Sequence, residues 1–161
     1  MIKVLHISPA GTTTGAGKAT ILTHNYLLKR KDIKSKVLFF KEENFSDEFV
    51  YYYSQKSIIN KIKRYLFTFL DNIPLLKYSY KTNDIFSPGL FGVSIANLDL
   101  VKWADVIHIH WANHGFINIT ELKRINKSII WTLRDMWAFT GGCHVNYQCE
   151  KFTSECGNCP I

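Results

Sequence analysis

The chain has 161 residues, 47% of them hydrophobic and 20% charged, the makeup of one soluble globular domain that buries its own core. No apolar run approaches the roughly 20 residues that span a bilayer. The opening Met1-Ile2-Lys3-Val4-Leu5-His6-Ile7 runs into Pro9 and a Gly/Thr loop too early for a secretory leader, so the expected compartment is the cytoplasm, where cysteines stay reduced. The net charge of +7 is compatible with nucleic acid, an anionic membrane face or phosphorylated ligands.

In chain order, residues 3–7 read as a short buried strand, ended by Ser8-Pro9 and a loop through Gly11, Gly15 and Gly17. The pattern over residues 18–29 predicts a helix with Ile21, Leu22 and Leu28 on its apolar stripe, and residues 36–40 predict the next strand. Strand, glycine loop, helix and strand make a βαβ unit, whose crossover implies a parallel sheet. Residues 51–82 hold six basic side chains, among them Lys56, Lys61, Lys63 and Arg64, against the single acid Asp71.

Residues 55–70 predict an amphipathic helix. At roughly 100° per residue, Ile58, Ile59, Ile62, Tyr65, Leu66, Phe69 and Leu70 share an arc of about 140°, with the basic residues elsewhere and Phe67 as an apolar exception. Two readings follow. The apolar arc packs on the sheet with its lysines in water, or the helix touches an anionic membrane surface or lipid-linked acceptor, making the protein peripheral at the inner face of the membrane. Helices are then expected over residues 93–103 and 118–125, and strands over 105–110 and 128–133. Residues 133–161, rich in Gly, Cys and polar side chains, read as a loop-dominated lobe. The sum is one α/β domain over 1–161, a Rossmann-like doubly wound parallel sheet with a Cys-rich carboxy-terminal lobe.

Four features suit binding chemistry. Gly15 and Gly17 open a helix, where exposed amides attract anions and a missing Cβ lets a ligand come close. Thr12 and Ala19 stand where a Walker A loop needs Gly and Ser/Thr, and Thr20 stands where a dinucleotide loop needs its last Gly, so ATPase and NAD readings drop away. His108 and His110 alternate with Ile107 and Ile109, which puts His110 at the carboxyl end of a strand, where open parallel sheets bind ligands. Past the next strand come Arg134, Asp135 and Trp137, suited to phosphate, hydroxyls and a sugar face; the bland reading is a surface pair and an aromatic roof. Cys143, Cys149, Cys156 and Cys159 could complete a closed, structural zinc site, with unligated thiols or disulfides as alternatives.

The stretch Trp131-Thr132-Leu133-Arg134-Asp135-Met136-Trp137-Ala138-Phe139-Thr140-Gly141-Gly142-Cys143-His144, followed by Cys149, Cys156, Gly157, Asn158, Cys159 and Pro160, resembles a branch of the retaining glycosyltransferases of family 4, which have the two-domain GT-B fold. Val4-Leu5-His6-Ile7-Ser8 with Gly15-Ala16-Gly17, and Ala104-Asp105-Val106-Ile107-His108-Ile109-His110-Trp111, sit where that family places them. The resemblance implies transfer of a sugar from a nucleotide donor to a glycan or lipid-linked acceptor in cell-surface polysaccharide synthesis, without a catalytic metal. It places the glycine loop near the donor diphosphate. The family commonly has His where Arg134 stands, and a guanidinium cannot exchange a proton near neutral pH. The family's second, donor-binding domain is not in this sequence, so the chain is expected to fold but not to turn over unless that domain complements it. A non-catalytic, zinc-stabilised binding module is the alternative. Nucleic-acid binding is disfavoured, because the positive charge gathers on one amphipathic helix while the cysteine lobe is nearly neutral.

Overall fold

Five short runs rich in Ile, Val, Phe and Tyr pair into one sheet: β1 (Ile2–Ser8), β2 (Ile33–Phe39), β3 (Val50–Tyr52), β4 (Val106–Ile109) and β5 (Ser128–Trp131). A computed structural model describes residues 1–9, 11–77 and 85–156. The strand order is β3-β2-β1-β4-β5, and every pairing is parallel. The helices are α1 (Gly15–Leu28), α2 (Ile58–Asn72) and α3 (Asp99–Trp103).

Alternation along the central strands sends side chains to two different layers. Leu5, Ile7, Ile107 and Ile109 are fully buried in the main core with Leu38, Phe116 and, from α3, Leu100 and Val101. Replacing one such residue by Ala costs about 2–5 kcal/mol. The opposite face carries His6, Ser35, Val37 and Phe39, and there α1 lies with Gly17, Thr20 and His24 buried. Helices on both faces of a parallel sheet in this order make the Rossmann-like, doubly wound α/β fold. No helix among the described residues is long and apolar enough to cross a membrane.

Several expected boundaries move, each for a local reason. Helix α1 starts at Gly15 because Thr14 caps it, its hydroxyl accepting from Gly17 N at 3.1 Å. Its inward face is Gly17, Thr20, Ile21 and His24, while Leu22 of the expected stripe points to water. Strand β3 is three residues long, too short to show a period, and exists by pairing with Val37–Phe39 of β2. The helix expected over 93–103 forms only from Asp99. The Glu121 carboxylate accepts from Ile95 N and Ala96 N, both at 3.0 Å, and from Ser94 Oγ at 2.7 Å, which fixes its first half outside a helix. Residues 118–125 form a 3-10 turn, Ile119–Arg124, capped by the Asn118 side chain. The lobe after β5 holds two 3-10 turns, Trp137–Phe139 and Lys151–Thr153, in otherwise irregular chain.

Candidate functional site

Strand order reverses between β1 and β4, so the crevice for a ligand lies beyond the carboxyl ends of these two strands. Register places His6 of β1 beside His108 of β4, and His110 follows on the same face. His6 and His110 are buried, and His6 Nδ1 lies 2.9 Å from His110 Nε2. Beyond β5, Arg134 sits 2.8 Å away through Nη2 from His110 Nδ1.

These contacts fix the tautomers. A guanidinium only donates, so His110 Nδ1 accepts from Arg134 and the His110 hydrogen sits on Nε2. That N–H donates to His6 Nδ1, which leaves the His6 hydrogen on Nε2, a buried atom without a partner. Burial first, then the neighbouring histidines, drives the His6 pKa down to about 2. Burial, His108 and Arg134 lower that of His110 to about 3. Burial and Arg134 also lower His108, which shares a 2.7 Å hydrogen bond with Thr132 Oγ1. Neutral imidazoles with such low proton affinity are poor general bases at neutral pH. Their work is to hold an exposed guanidinium in one orientation at the sheet edge.

The ring nitrogens of His6, His108 and His110 lie within 4.8 Å of one another. The His108 and His110 rings stack at 4.2 Å with 29° between planes. Two rings stacked so cannot both aim an in-plane lone pair at one ion, and Arg134 adds positive charge, so the cluster suits an anion at its edge better than a cation at its centre.

Gly15 stands in open space, with nothing within 4 Å of where a Cβ would sit. The neighbouring loop is already occupied. The Glu43 carboxylate accepts from Thr12 Oγ1 at 2.9 Å and from Thr13 Oγ1 at 3.1 Å. It also lies where a side chain on Gly11 would go. A phosphate is therefore admitted on the Gly15 side and repelled on the Gly11 side.

Asp135 and Trp137 are turned inward. Asp135 accepts from Trp137 N at 3.0 Å and from His144 Nδ1 at 2.5 Å. Trp137 is buried, its indole N–H donates to Ser87 O at 2.7 Å, and its ring covers Gly89, where the backbone has φ +66°. The expected sugar platform at Trp137 is thus a packing residue. Cys143, Cys149 and Cys156 line one small cavity with Thr140, Asn146 and Phe152. Cys159, the fourth of the expected set, lies outside the described residues.

His6, Thr132 and Glu43 were not legible as site residues. His6 had a signal, since it sits on the same alternation as Ser8, but only the strand order brings it to His110. Asn113, buried with both side-chain polar atoms unpartnered, and the indole N–H of Trp111 complete the polar set beyond β4.

No family model matches the chain, and no solved structure matches it. A stretch of 59 residues, 34% of the chain, is 32% identical to a protein of Escherichia coli (strain K12) whose name assigns it, provisionally, to colanic acid biosynthesis as the glycosyl transferase WcaC. The match spans 15% of that relative's length.

Proposed function

We propose that this chain is the acceptor-side, amino-terminal half of a GT-B, retaining glycosyltransferase of family 4. It would move a sugar from a nucleotide-sugar donor to a glycan or lipid-linked acceptor in cell-surface polysaccharide synthesis. The observation that carries the reading is Arg134, an exposed cation held by the buried, neutral His110 imidazole, itself held by His6, at the carboxyl edge of the sheet. The similarity to a protein named as a glycosyl transferase supports the same class.

In such a transfer the sugar leaves its diphosphate, on which negative charge grows. A guanidinium already oriented beside that diphosphate stabilises the charge without reorganising. Arg134 binds and orients but does not shuttle a proton. His110 and His6 are positioning residues that act through it. The start of α1 at Gly15 offers a second anion contact, whereas Gly17, expected to share it, is buried with its amide already bonded to Thr14 Oγ1. The Glu43 carboxylate steers the phosphates toward Gly15. The nucleoside is held by a second α/β domain, in cis or in trans.

The cysteine lobe is proposed to hold one structural zinc through Cys143, Cys149, Cys156 and Cys159. Three of the four line one cavity, and a segment with so little core of its own draws folding free energy from the metal.

The test is an assay of the 161-residue chain, with and without a donor-binding domain, against a panel of nucleotide sugars and a lipid-linked acceptor. Transfer is expected only with the second domain present, and loss of transfer with Arg134→Ala. Robust transfer by the chain alone, or an Arg134→Ala enzyme as active as the parent, overturns the reading.

A further inference from the structure

Helix α2 is built inside out. Ile58, Ile59, Ile62, Tyr65, Leu66 and Phe69 are exposed, between 47% and 71%. The side that meets the rest of the protein is mostly polar. Asn60 Nδ2 donates to Tyr53 O at 3.1 Å, and Thr68 Oγ1 donates to His114 O at 3.1 Å. The buried Asp71 carboxylate accepts from Leu90 N at 3.0 Å and Phe91 N at 3.2 Å. Phe67, the exception to the apolar arc, is the residue that packs on the core. Of the two readings of the sequence, the apolar arc is not packed on the sheet but exposed, while Lys61 and Lys63 are in water as that reading had them.

Charge narrows what can cover such a face. At roughly 100° per residue, Lys61 and Lys63 flank the apolar arc on either side, each about 100° from its centre. Lys61 also meets the Glu42 carboxylate at 3.4 Å, an exposed pair that costs little to open. The Arg64 guanidinium lies 3.9 Å from the centre of the Tyr65 ring. The single acid of the helix, Asp71, is buried on the inner side. A second copy laid face to face would bring these lysine borders near one another. A surface with an apolar interior and a layer of negative headgroups matches both arc and borders.

We propose that α2 docks in the plane of an anionic lipid bilayer, its apolar arc in the headgroup–acyl boundary and Lys61 and Lys63 at the lipid phosphates. The docked helix would hold the site beyond β4 at the membrane surface, because its inner side grips the loop there. Thr68 bonds His114 O, and the backbone at Phe67–Thr68 leaves no room for a Cβ on Gly115, whose φ is +68°. Docking does not depend on the transferase reading, since its residues are distinct from Arg134 and the histidines.

Co-sedimentation of the chain with phosphatidylcholine vesicles, with and without phosphatidylglycerol, tests it. Binding is expected to the anionic vesicles and to fall with salt. Phe69→Glu should weaken it at least tenfold, roughly, and Lys61→Glu with Lys63→Glu by a similar factor. The variants are on exposed positions, and an unchanged far-UV spectrum and melting temperature confirm that they fold. A Phe69→Trp variant should shift its emission to the blue on anionic vesicles. Arg134→Ala should bind vesicles like the parent, which separates failure here from failure of the transferase reading. No binding by the folded chain, equal binding to neutral and anionic vesicles, or binding that Phe69→Glu leaves intact overturns the proposal. So does a dimer broken by Phe69→Glu without vesicle binding, which would make a second copy the occupant.

Discussion

The β1–β4 seam and helix α2 invert the usual partition of side chains in opposite directions. The seam buries His6 and His110 where a parallel sheet ordinarily places Val or Ile. Helix α2 leaves isoleucines and aromatics in water and turns Asn60, Thr68 and Asp71 inward. Each arrangement costs stability: buried polar groups must find partners, and an exposed apolar stripe gains nothing from folding. The two costs are met differently. The seam runs its hydrogen bonds inside the chain from His6 through His110 to Arg134, leaving only His6 Nε2 of that relay unpartnered, so what it presents outward is one fixed charge. Helix α2 satisfies its polar side on the protein and leaves its apolar side for something outside.

The largest expected effect sharpens the seam side. In a transferase with its donor domain in place, Arg134→Ala should lower kcat by about 100–1,000-fold, the loss typical of removing one preorganised donor to developing charge. Arg134→Lys should recover part of the loss, because a point charge replaces the fork that also bonds His110. Equal loss of activity from Lys61→Glu with Lys63→Glu, in detergent and without lipid, would break the division between the two regions.

The next effect comes from pH. His6 and His110 have folded-state pKa values far below the ordinary 6.5, so between 6.5 and about 3 the unfolded chain binds protons that the folded chain does not. Stability is therefore complete above the ordinary histidine pKa and falls as pH drops below it, on the order of 2 kcal/mol per histidine by pH 5. Denaturant melts from pH 7 to 5 measure the slope. His6→Asn, whose amide oxygen can still accept from His110 Nε2–H, should flatten it by one histidine's share; an unchanged slope would mean the seam is wetter than it looks.

The cysteine lobe should yield about one zinc per chain by elemental analysis of protein purified without chelator. Metal content near zero, with the thiols of folded protein titrating freely, would leave the lobe without its staple. The smallest effect is on α2: Thr68→Val removes the bond to His114 O and should cost about 1 kcal/mol, read from denaturant midpoints.

Much of the fold was legible. The short apolar run in residues 3–7, ended by Ser8-Pro9, marked β1, and the strand pattern in 105–110, with its alternating His and Ile, marked β4. The βαβ start was legible from its capped glycine loop. Strand β3 was not, because three residues carry no period. The aborted first half of the helix before α3 was not, because Glu121, far along the chain, holds its amides. The site divides in the same way. His110 and Arg134 could be named because strand ends are visible in sequence, but His6 reaches His110, and Glu43 the threonines of the glycine loop, only through the folded chain. Trp137 was misjudged since composition does not say which way a ring faces. The arc of α2 was read correctly residue by residue, yet nothing in a periodicity says which side meets the protein; the burial of Asp71 decides that.

The bond from His6 to His110 closes a loop of 104 residues, and β1 meets β2 across only one helix. Loop-closure entropy and the slow pairing of distant parallel strands therefore order the assembly. During synthesis the β1–α1–β2 unit can form as soon as it emerges, with His6 still wet along an unpaired edge. Only when β4 is made does that edge close and the histidine dehydrate. The His6–His110–Arg134 geometry at the sheet edge is thus acquired late as this chain folds, and a nascent chain halted before Val106 would present β1 as an open strand.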